Sequence, residues 1–187
     1  MKIYKEDQAT EFGKWKDDIS KFMYFDSTKE ILSKIEIPKI VADYGGANGN
    51  LKTFIPNSIS IDIDNSKNPD ITDNILTHKG NYSLIVIRYV LHYLDDYEVL
   101  NLFKHIKKHH KKNILVIQFT NENLKEKYHN SVNEHKYFRT KNQLESLLPN
   151  FKHIYSQEFE CNKEFYKNRL SISNAINHKE TINAYLI

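Results

Sequence analysis

The residues best able to do chemistry lie in the stretch Val41-Ala-Asp-Tyr-Gly-Gly-Ala-Asn-Gly-Asn50, where a short apolar run ends in an acid and a glycine turn. Glycines in such a turn let the backbone approach a ligand closely and expose its N–H groups. In open α/β sheets, ligands bind at the carboxyl ends of strands, where the strand order reverses. The stretch therefore predicts a site for a nucleotide-like ligand.

Two common nucleotide-binding patterns do not account for this loop. The dinucleotide fingerprint G-x-G-x-x-G fails in every register, because the three glycines are differently spaced. The phosphate loop G-x-x-x-x-G-K-[ST] is nearly met from Gly46 to Thr53, but Leu51 stands at the second glycine position. A side chain there should block the cradle around the phosphates, so a phosphate loop remains a lesser alternative.

A third pattern, an acid followed by G-x-G-x-G, fits better. Asp43, Gly45 and Gly49 meet it, and Ala47 replaces the middle glycine, a mild departure because a methyl group needs little room.

A second acid stands at the end of the next apolar run, Ile59 to Ile63. The carboxylate of Asp62 can accept hydrogen bonds from both ribose hydroxyls of a nucleoside, as in dinucleotide sites. Asp64 points to the same side of an extended chain, so it is the alternative ribose ligand.

Together these features resemble the class I (Rossmann-like) S-adenosylmethionine-dependent methyltransferase superfamily. The likeness continues in Pro69-Asp-Ile-Thr-Asp73, where the family has a carboxylate near adenine, and in Leu84 to Leu94, which is similar to its fourth strand and following loop. The ending Glu180 to Ile187 is similar to its antiparallel last strand. The resemblance identifies no subfamily.

The resemblance implies that the chain binds S-adenosylmethionine (SAM) and releases S-adenosylhomocysteine (SAH). The glycine loop would lie under the methionine part of the donor, Asp43 would orient its ammonium group, and Asp73 would face its adenine. Arg88 departs from the family's usual small polar residue; it could bind the donor's carboxylate or an acidic acceptor, or form an ordinary ion pair. The implied donor-site residues are Asp43, Gly45, Gly46, Asn48, Gly49, Asp62, Asp64, Asp73 and Arg88.

His92 is the candidate catalytic residue. It follows the fourth predicted strand, near the expected methyl group, and could act as a general base; structural packing is the alternative. Glu126, His129 and His135 do not close a metal-binding pattern, so we expect no metal.

Other charged and aromatic groups border the predicted site or lie far from it. The basic run from Lys104 to Lys112 is expected to be a solvated helix end, where cations favour the helix dipole, with an RNA contact as the alternative. Aromatic side chains could cover the ligands or pack in the core. The predicted lid contains Trp15, Tyr24 and Phe25, and the predicted acceptor wall contains Tyr128, Tyr137, Phe138 and Tyr166.

Alternating helices and strands must position these residues. Apolar spacing predicts helices within residues 1–37, the second from Ser27 to Ile35 with Asp26 or Ser27 as its cap. A capping box at Thr140 to Gln143 opens a later helix, and another helix is predicted at 95–110. Strands are predicted at 39–43, 59–63, 83–88, 113–119, about 151–161 and 181–187.

This order predicts an α/β fold: a doubly wound, mostly parallel seven-stranded sheet whose last strand is antiparallel and inserted at the sheet edge. We expect one methyltransferase domain over residues 1–187, with an N-terminal helical cap at 1–37 and a Rossmann-like core at 38–187.

Composition limits the function classes. The net charge of +3 is too small to imply nucleic acid by itself. No apolar run approaches the roughly 20 residues that span a bilayer, and the N-terminus lacks the apolar core of a signal peptide. We therefore expect a cytoplasmic protein without a membrane partner. The lone cysteine, Cys161, excludes an internal disulfide and a Cys-based zinc cluster, and is expected in a strand.

The methyl acceptor is the least defined element. The D/N-P-P-Y motif of DNA amino-methyltransferases is absent, so no DNA partner is expected. The leading hypothesis is methyl transfer to an O or N atom of a small molecule or peptide. The alternatives are an RNA methyltransferase, acting on a tRNA base or a cap-like end, and a non-catalytic SAM-binding partner subunit. The oligomeric state stays open.

Overall fold

The structure, a computed structural model, describes residues 25–110, 113–120, 122, 137–161 and 178–187. The helices are α1 (Phe25–Ser33), α2 (Asp96–His109) and α3 (Lys141–Leu147). The strands are β1 (Val41–Tyr44), β2 (Ile59–Asp62), β3 (Ile71–Thr72), β4 (Leu84–Arg88), β5 (Asn113–Thr120), β6 (Lys152–Cys161) and β7 (His178–Leu186). Short 3-10 helices occupy Asn50–Thr53, Asn65–Lys67 and Leu91–Tyr93.

The strands form one seven-stranded sheet in the order β3-β2-β1-β4-β5-β7-β6. Neighbours from β3 to β5 pair in parallel, and β7 is antiparallel to both β5 and β6. The predicted sheet, with its antiparallel last strand, is confirmed. The expected insertion at the sheet edge is wrong, because β7 lies between β5 and β6. Its Ile182, Ala184 and Tyr185 are fully buried. Such burial is typical of a strand inside a sheet, with a neighbouring strand on either side.

Both faces of the sheet are covered, as a doubly wound fold requires. Successive residues of β4 point to opposite faces. Ile85 and Ile87 belong to the apolar layer under α2 and α3. Leu84 and Val86 belong to the layer that contains apolar residues of α1 and of the 3-10 helix Asn50–Thr53.

Three local predictions need comment. The polar stretch after β2 contains β3, which was not predicted because it has only two residues, at the sheet edge. Asp26 and Ser27 do not cap a helix, because they lie inside α1. The capping box at Thr140 is confirmed. The Thr140 hydroxyl accepts the backbone N–H of Gln143, and Gln143 Oε1 accepts the backbone N–H of Thr140.

No helix within the described ranges is both long and apolar enough to cross a bilayer. Most of the predicted cap, with Trp15 and Tyr24, lies outside the described residues.

Candidate functional site

The glycine loop follows β1 at the carboxyl edge of the sheet, and its backbone requires small residues. Gly45, Ala47 and Gly49 adopt positive φ angles of 71°, 45° and 75°, a region that favours glycine. A Cβ at Gly45 would lie 2.5 Å from Val90 Cγ2, and a Cβ at Gly46 would lie 2.7 Å from Asp43 Oδ2. Close packing on β1 and on the segment after β4 therefore fixes the course of the loop.

Asp62 ends β2 directly beside this loop. Its Oδ2 accepts the backbone N–H of Ala47 at 2.9 Å, and its Oδ1 accepts the N–H of Asp64 at 2.9 Å. Burial raises the pKa of Asp62, and these N–H donors oppose the rise by stabilising the carboxylate. Each carboxylate oxygen can accept more than one hydrogen bond, so both can also receive ligand hydroxyls.

Asp64 has a different local role. Its Oδ1 accepts the backbone N–H of Ser66 at 2.9 Å and the Ser66 hydroxyl at 2.7 Å. The residue therefore caps the 3-10 helix Asn65–Lys67. Its Oδ2 has no hydrogen-bond partner among the described residues, so the preference for Asp62 over Asp64 as the ribose ligand stays a prediction.

Asp43 and Arg88 lie on adjacent strands and on the same face, because Asp43 pairs with Val86 in register. Asp43 is 2% exposed, and burial raises its pKa to about 6, against the opposing effect of the Arg88 guanidinium. Its Oδ2 has no hydrogen-bond partner among the described residues. A buried acceptor without a donor is costly, so Oδ2 is suited to a cationic or N–H group of a ligand.

Arg88 makes no ion pair within 4.0 Å with a described residue. Its guanidinium lies 6.0 Å from the centre of the Phe54 ring, at the limit of cation–π attraction. The ordinary ion-pair alternative therefore finds no partner in the described part of the chain.

Asp73 follows β3, and its carboxylate is engaged by the protein. Oδ2 lies 2.7 Å from His78 Nδ1, and Oδ1 accepts the backbone N–H of Asn74 at 2.7 Å. The hydrogen bond to His78 lowers the pKa of Asp73. His78 Nε2 in turn lies 2.9 Å from the Tyr82 hydroxyl. Sequence reasoning missed His78, and no pattern marks it as a partner of Asp73.

His92 lies in the 3-10 helix after β4 and is 2% exposed. The chain enters this helix through Tyr89, whose φ is 56°. His92 Nδ1 lies 3.2 Å from Gln118 Nε2, and the His92 ring centre lies 4.7 Å from that of Phe119. Gln118, near the end of β5, was not singled out in the sequence because a lone glutamine in an apolar strand carries no motif.

The segment before α3 packs on the same loop. The N–H of Tyr137 donates to the His92 carbonyl at 3.1 Å, and the rings of Phe138 and Phe119 are 5.4 Å apart. Of the predicted wall residues, Tyr137 therefore contacts the His92 backbone and Phe138 packs on Phe119, whereas Tyr128 and Tyr166 lie outside the described residues.

Arg139 fixes this arrangement. Its buried guanidinium donates to the carbonyls of Leu91 and Leu94 at 2.7 and 2.8 Å, and to Asp96 at 2.7 and 2.9 Å. One side chain therefore joins the segment before α3 to the loop between β4 and α2.

The described part of the basic run, residues 104–110, lies at the amino ends of the parallel strands, opposite the glycine loop. Lys107, Lys108 and His109 form the last turn of α2, which begins at the carboxyl end of β4 and returns to the start of β5. The expectation of a solvated end is wrong for His110, which is buried with its Nε2 3.3 Å from the Tyr44 hydroxyl.

Within the described ranges, no group of three or more His, Cys, Asp or Glu side chains could hold a metal ion. Glu126, His129 and His135 lie outside those ranges. Cys161 is the last residue of β6, so the prediction that it lies in a strand is confirmed.

Comparison with known proteins finds similarity in structure alone. No protein-family model matches the sequence, and no curated protein matches it. A SAM-dependent methyltransferase from Methanosarcina mazei is 13% identical, with a TM-score of 0.55, over 84% of this chain and 96% of that one.

Two further solved structures are similar. Magnesium protoporphyrin IX methyltransferase from Synechocystis, with bound SAH, is 13% identical, with a TM-score of 0.61, over 96% of this chain and 94% of that one. The glycopeptide N-methyltransferase MtfA in complex with SAM is 10% identical, with a TM-score of 0.56, over 84% and 92%. At these identities the likeness concerns the fold.

Proposed function

We propose that this chain, whose fold is that of the class I methyltransferases, is a SAM-dependent methyltransferase. The observation that carries the proposal is the junction of Asp62 with the glycine loop. An oriented carboxylate at the end of β2 and a left-handed loop after β1 together form a nucleoside-binding edge.

The described residues fit the methyl donor. Asp62 would accept the ribose hydroxyls, the loop from Gly45 to Gly49 would hold the methionine part, and the unpartnered Asp43 Oδ2 would receive the ammonium group. Arg88 would offer a cation to the donor's carboxylate, and Asp73 would face its adenine. Asn48 belongs to the same loop.

When bound, SAM supplies a methyl group on a cationic sulfur, which an acceptor's lone pair attacks while the carbon–sulfur bond breaks and its electrons stay on sulfur. The protein mainly positions the two partners, because holding them at near-attack distance removes most of the entropic barrier. Arg139 contributes by holding the segment that carries His92.

The acceptor that we propose is an O or N atom of a small molecule or peptide. The cationic end of α2 lies at the edge opposite the glycine loop, so it does not face the site as an RNA-guiding surface would. RNA methylation remains the alternative, and a non-catalytic SAM-binding subunit the third. The location we propose is the cytoplasm.

Calorimetric titration with SAM and with SAH tests the donor site. We expect wild-type protein to bind both, and Asp62→Ala to weaken binding at least about tenfold, since it removes charge-assisted hydrogen bonds. Circular dichroism of both proteins controls for folding. Absence of binding to folded wild-type protein would overturn the proposal and return the phosphate-loop interpretation to first place.

Transfer of a labelled methyl group tests the acceptor. Purified protein and labelled SAM are incubated separately with a metabolite extract, a peptide pool and total RNA. Label in the first or second pool supports the proposed acceptor class, and label in RNA alone would refute it. Donor binding without transfer to any pool would favour the non-catalytic subunit.

A further inference from the structure

The side chain of Gln118 has a fixed orientation between a backbone donor and the His92 ring. The N–H of Leu91 donates to Gln118 Oε1 at 3.1 Å, so the oxygen of the amide faces Leu91. The amide nitrogen therefore faces the ring, with Nε2 3.2 Å from His92 Nδ1. Gln118 is 3% exposed and His92 is 2% exposed.

This orientation determines the protonation of His92. An amide nitrogen only donates, so Nδ1 must accept and must carry no proton. A neutral imidazole then has its proton on Nε2. A cationic ring would direct an Nδ1–H at the amide's own N–H group, a repulsion that the burial of both side chains makes costly.

We propose that Gln118 is a positioning residue that keeps His92 neutral with its proton on Nε2, and thereby makes His92 a hydrogen-bond donor instead of a general base. The consequence for methyl transfer rests on the proposed function; the tautomer itself does not. The acceptor's proton then leaves to solvent as the new carbon–acceptor bond forms. This inference replaces the base role predicted for His92.

The chain offers a matched pair of variants. Gln118→Glu puts a carboxylate opposite Nδ1, which favours a proton on that nitrogen and a cationic ring. Gln118→Met has similar volume and no hydrogen-bonding group, so it removes the control of the tautomer without imposing another.

Nitrogen-15 NMR of histidine-labelled protein measures the tautomer directly. The His92 signals are assigned by their loss in His92→Gln. We expect a protonated Nε2 and a bare Nδ1 in wild type from about pH 6 to 8, a protonated Nδ1 in Gln118→Glu, and mixed tautomers in Gln118→Met. A wild-type ring that is cationic at neutral pH, or protonated on Nδ1, would overturn the inference. If Gln118→Glu does not fold, the wild-type and Gln118→Met spectra decide it.

The pH dependence of kcat gives a second readout in active enzyme. We expect His92→Gln to keep the wild-type profile even where the rate falls, because no proton is transferred to the ring. Loss of one limb of the profile would mean that His92 is a base and would refute the inference. Failure of wild type to bind SAM or SAH would refute the proposed function and leave the NMR result valid.

Discussion

The backbone N–H of Ala47 donates to Asp62 Oδ2 at 2.9 Å, which joins the glycine loop after β1 to the end of β2. The same Asp62 carboxylate accepts the N–H of Asp64 through its other oxygen. Loop and strand end therefore form one unit, and a change in either one alters the geometry of both.

Asp62 and Asp64 are distinguishable by matched substitutions. In Asp62→Asn the backbone N–H of either Ala47 or Asp64 would face the NH₂ group of the new side chain and lose its acceptor. We therefore expect the affinity for SAH to fall about tenfold or more. Asp64→Asn keeps an oxygen for the cap and should change affinity by less than about threefold. Calorimetry with SAH measures both. The opposite ranking would make Asp64 the ribose ligand.

Gly46→Ala should destabilise the fold, because the new Cβ would lie 2.7 Å from Asp43 Oδ2 and 2.9 Å from its carbonyl oxygen. We expect a loss of about 1–3 kcal/mol in the free energy of unfolding. Gly49→Ala is the control: its Cβ meets only the flexible Lys52 stem at 3.4 Å, and its φ costs about 1–2 kcal/mol. Urea denaturation compares them. Equal stability of Gly46→Ala and wild type would contradict the packing described.

The raised pKa of Asp43 makes stability depend on pH. Burial places this pKa at about 6 in the folded protein, so the folded state binds the proton more tightly than the unfolded state. The contribution is fully present below about pH 4 and is lost as pH rises through about 6, a fall of about 3 kcal/mol.

Asp43→Asn cannot ionise and should lack this part of the slope. Urea unfolding of both proteins from about pH 4 to 8 measures the free energy of unfolding at each pH. The contributions of all other groups are the same in both proteins, so they cancel in the difference between the two curves. Parallel curves for Asp43→Asn and wild type would mean that Asp43 titrates normally.

Arg88→Gln should weaken binding of SAM about tenfold or more, because a charge-assisted bond to the donor's carboxylate is lost. A decarboxylated SAM analogue serves as the control ligand and should bind wild type and variant alike. Calorimetry measures the four combinations. Unchanged SAM affinity together with reduced methyl transfer would assign Arg88 to an acidic acceptor instead.

Arg139→Met should destabilise the chain by about 2–3 kcal/mol, because the carbonyls of Leu91 and Leu94 lose buried charged donors. Lys141→Met removes a partly exposed pair with Glu145 at 3.9 Å and should cost under about 1 kcal/mol. Chemical denaturation separates the two. Similar small losses would show that Arg139 does not hold the loop.

The sequence by itself determined the features that depend on neighbours along the chain. Continuous apolar runs identified β1, β4 and β5, because strands buried on both faces have no polar alternation. The capping box identified the start of α3, and the glycine spacing and Asp62 identified the loop and strand end that we propose as the donor site.

Tertiary structure alone decided the features that no local residue pattern marks. The two-residue β3, the place of β7 between β5 and β6, and the pairs Asp73–His78 and Gln118–His92 were not predicted. Neither pair follows a helical or strand period, and the partners of Gln118 come from the segment after another strand. The place of β7 and the Gln118–His92 contact depend on the order of strands in the sheet, and the Asp73–His78 contact depends on the course of the segment after β3; the local pattern of residues encodes neither.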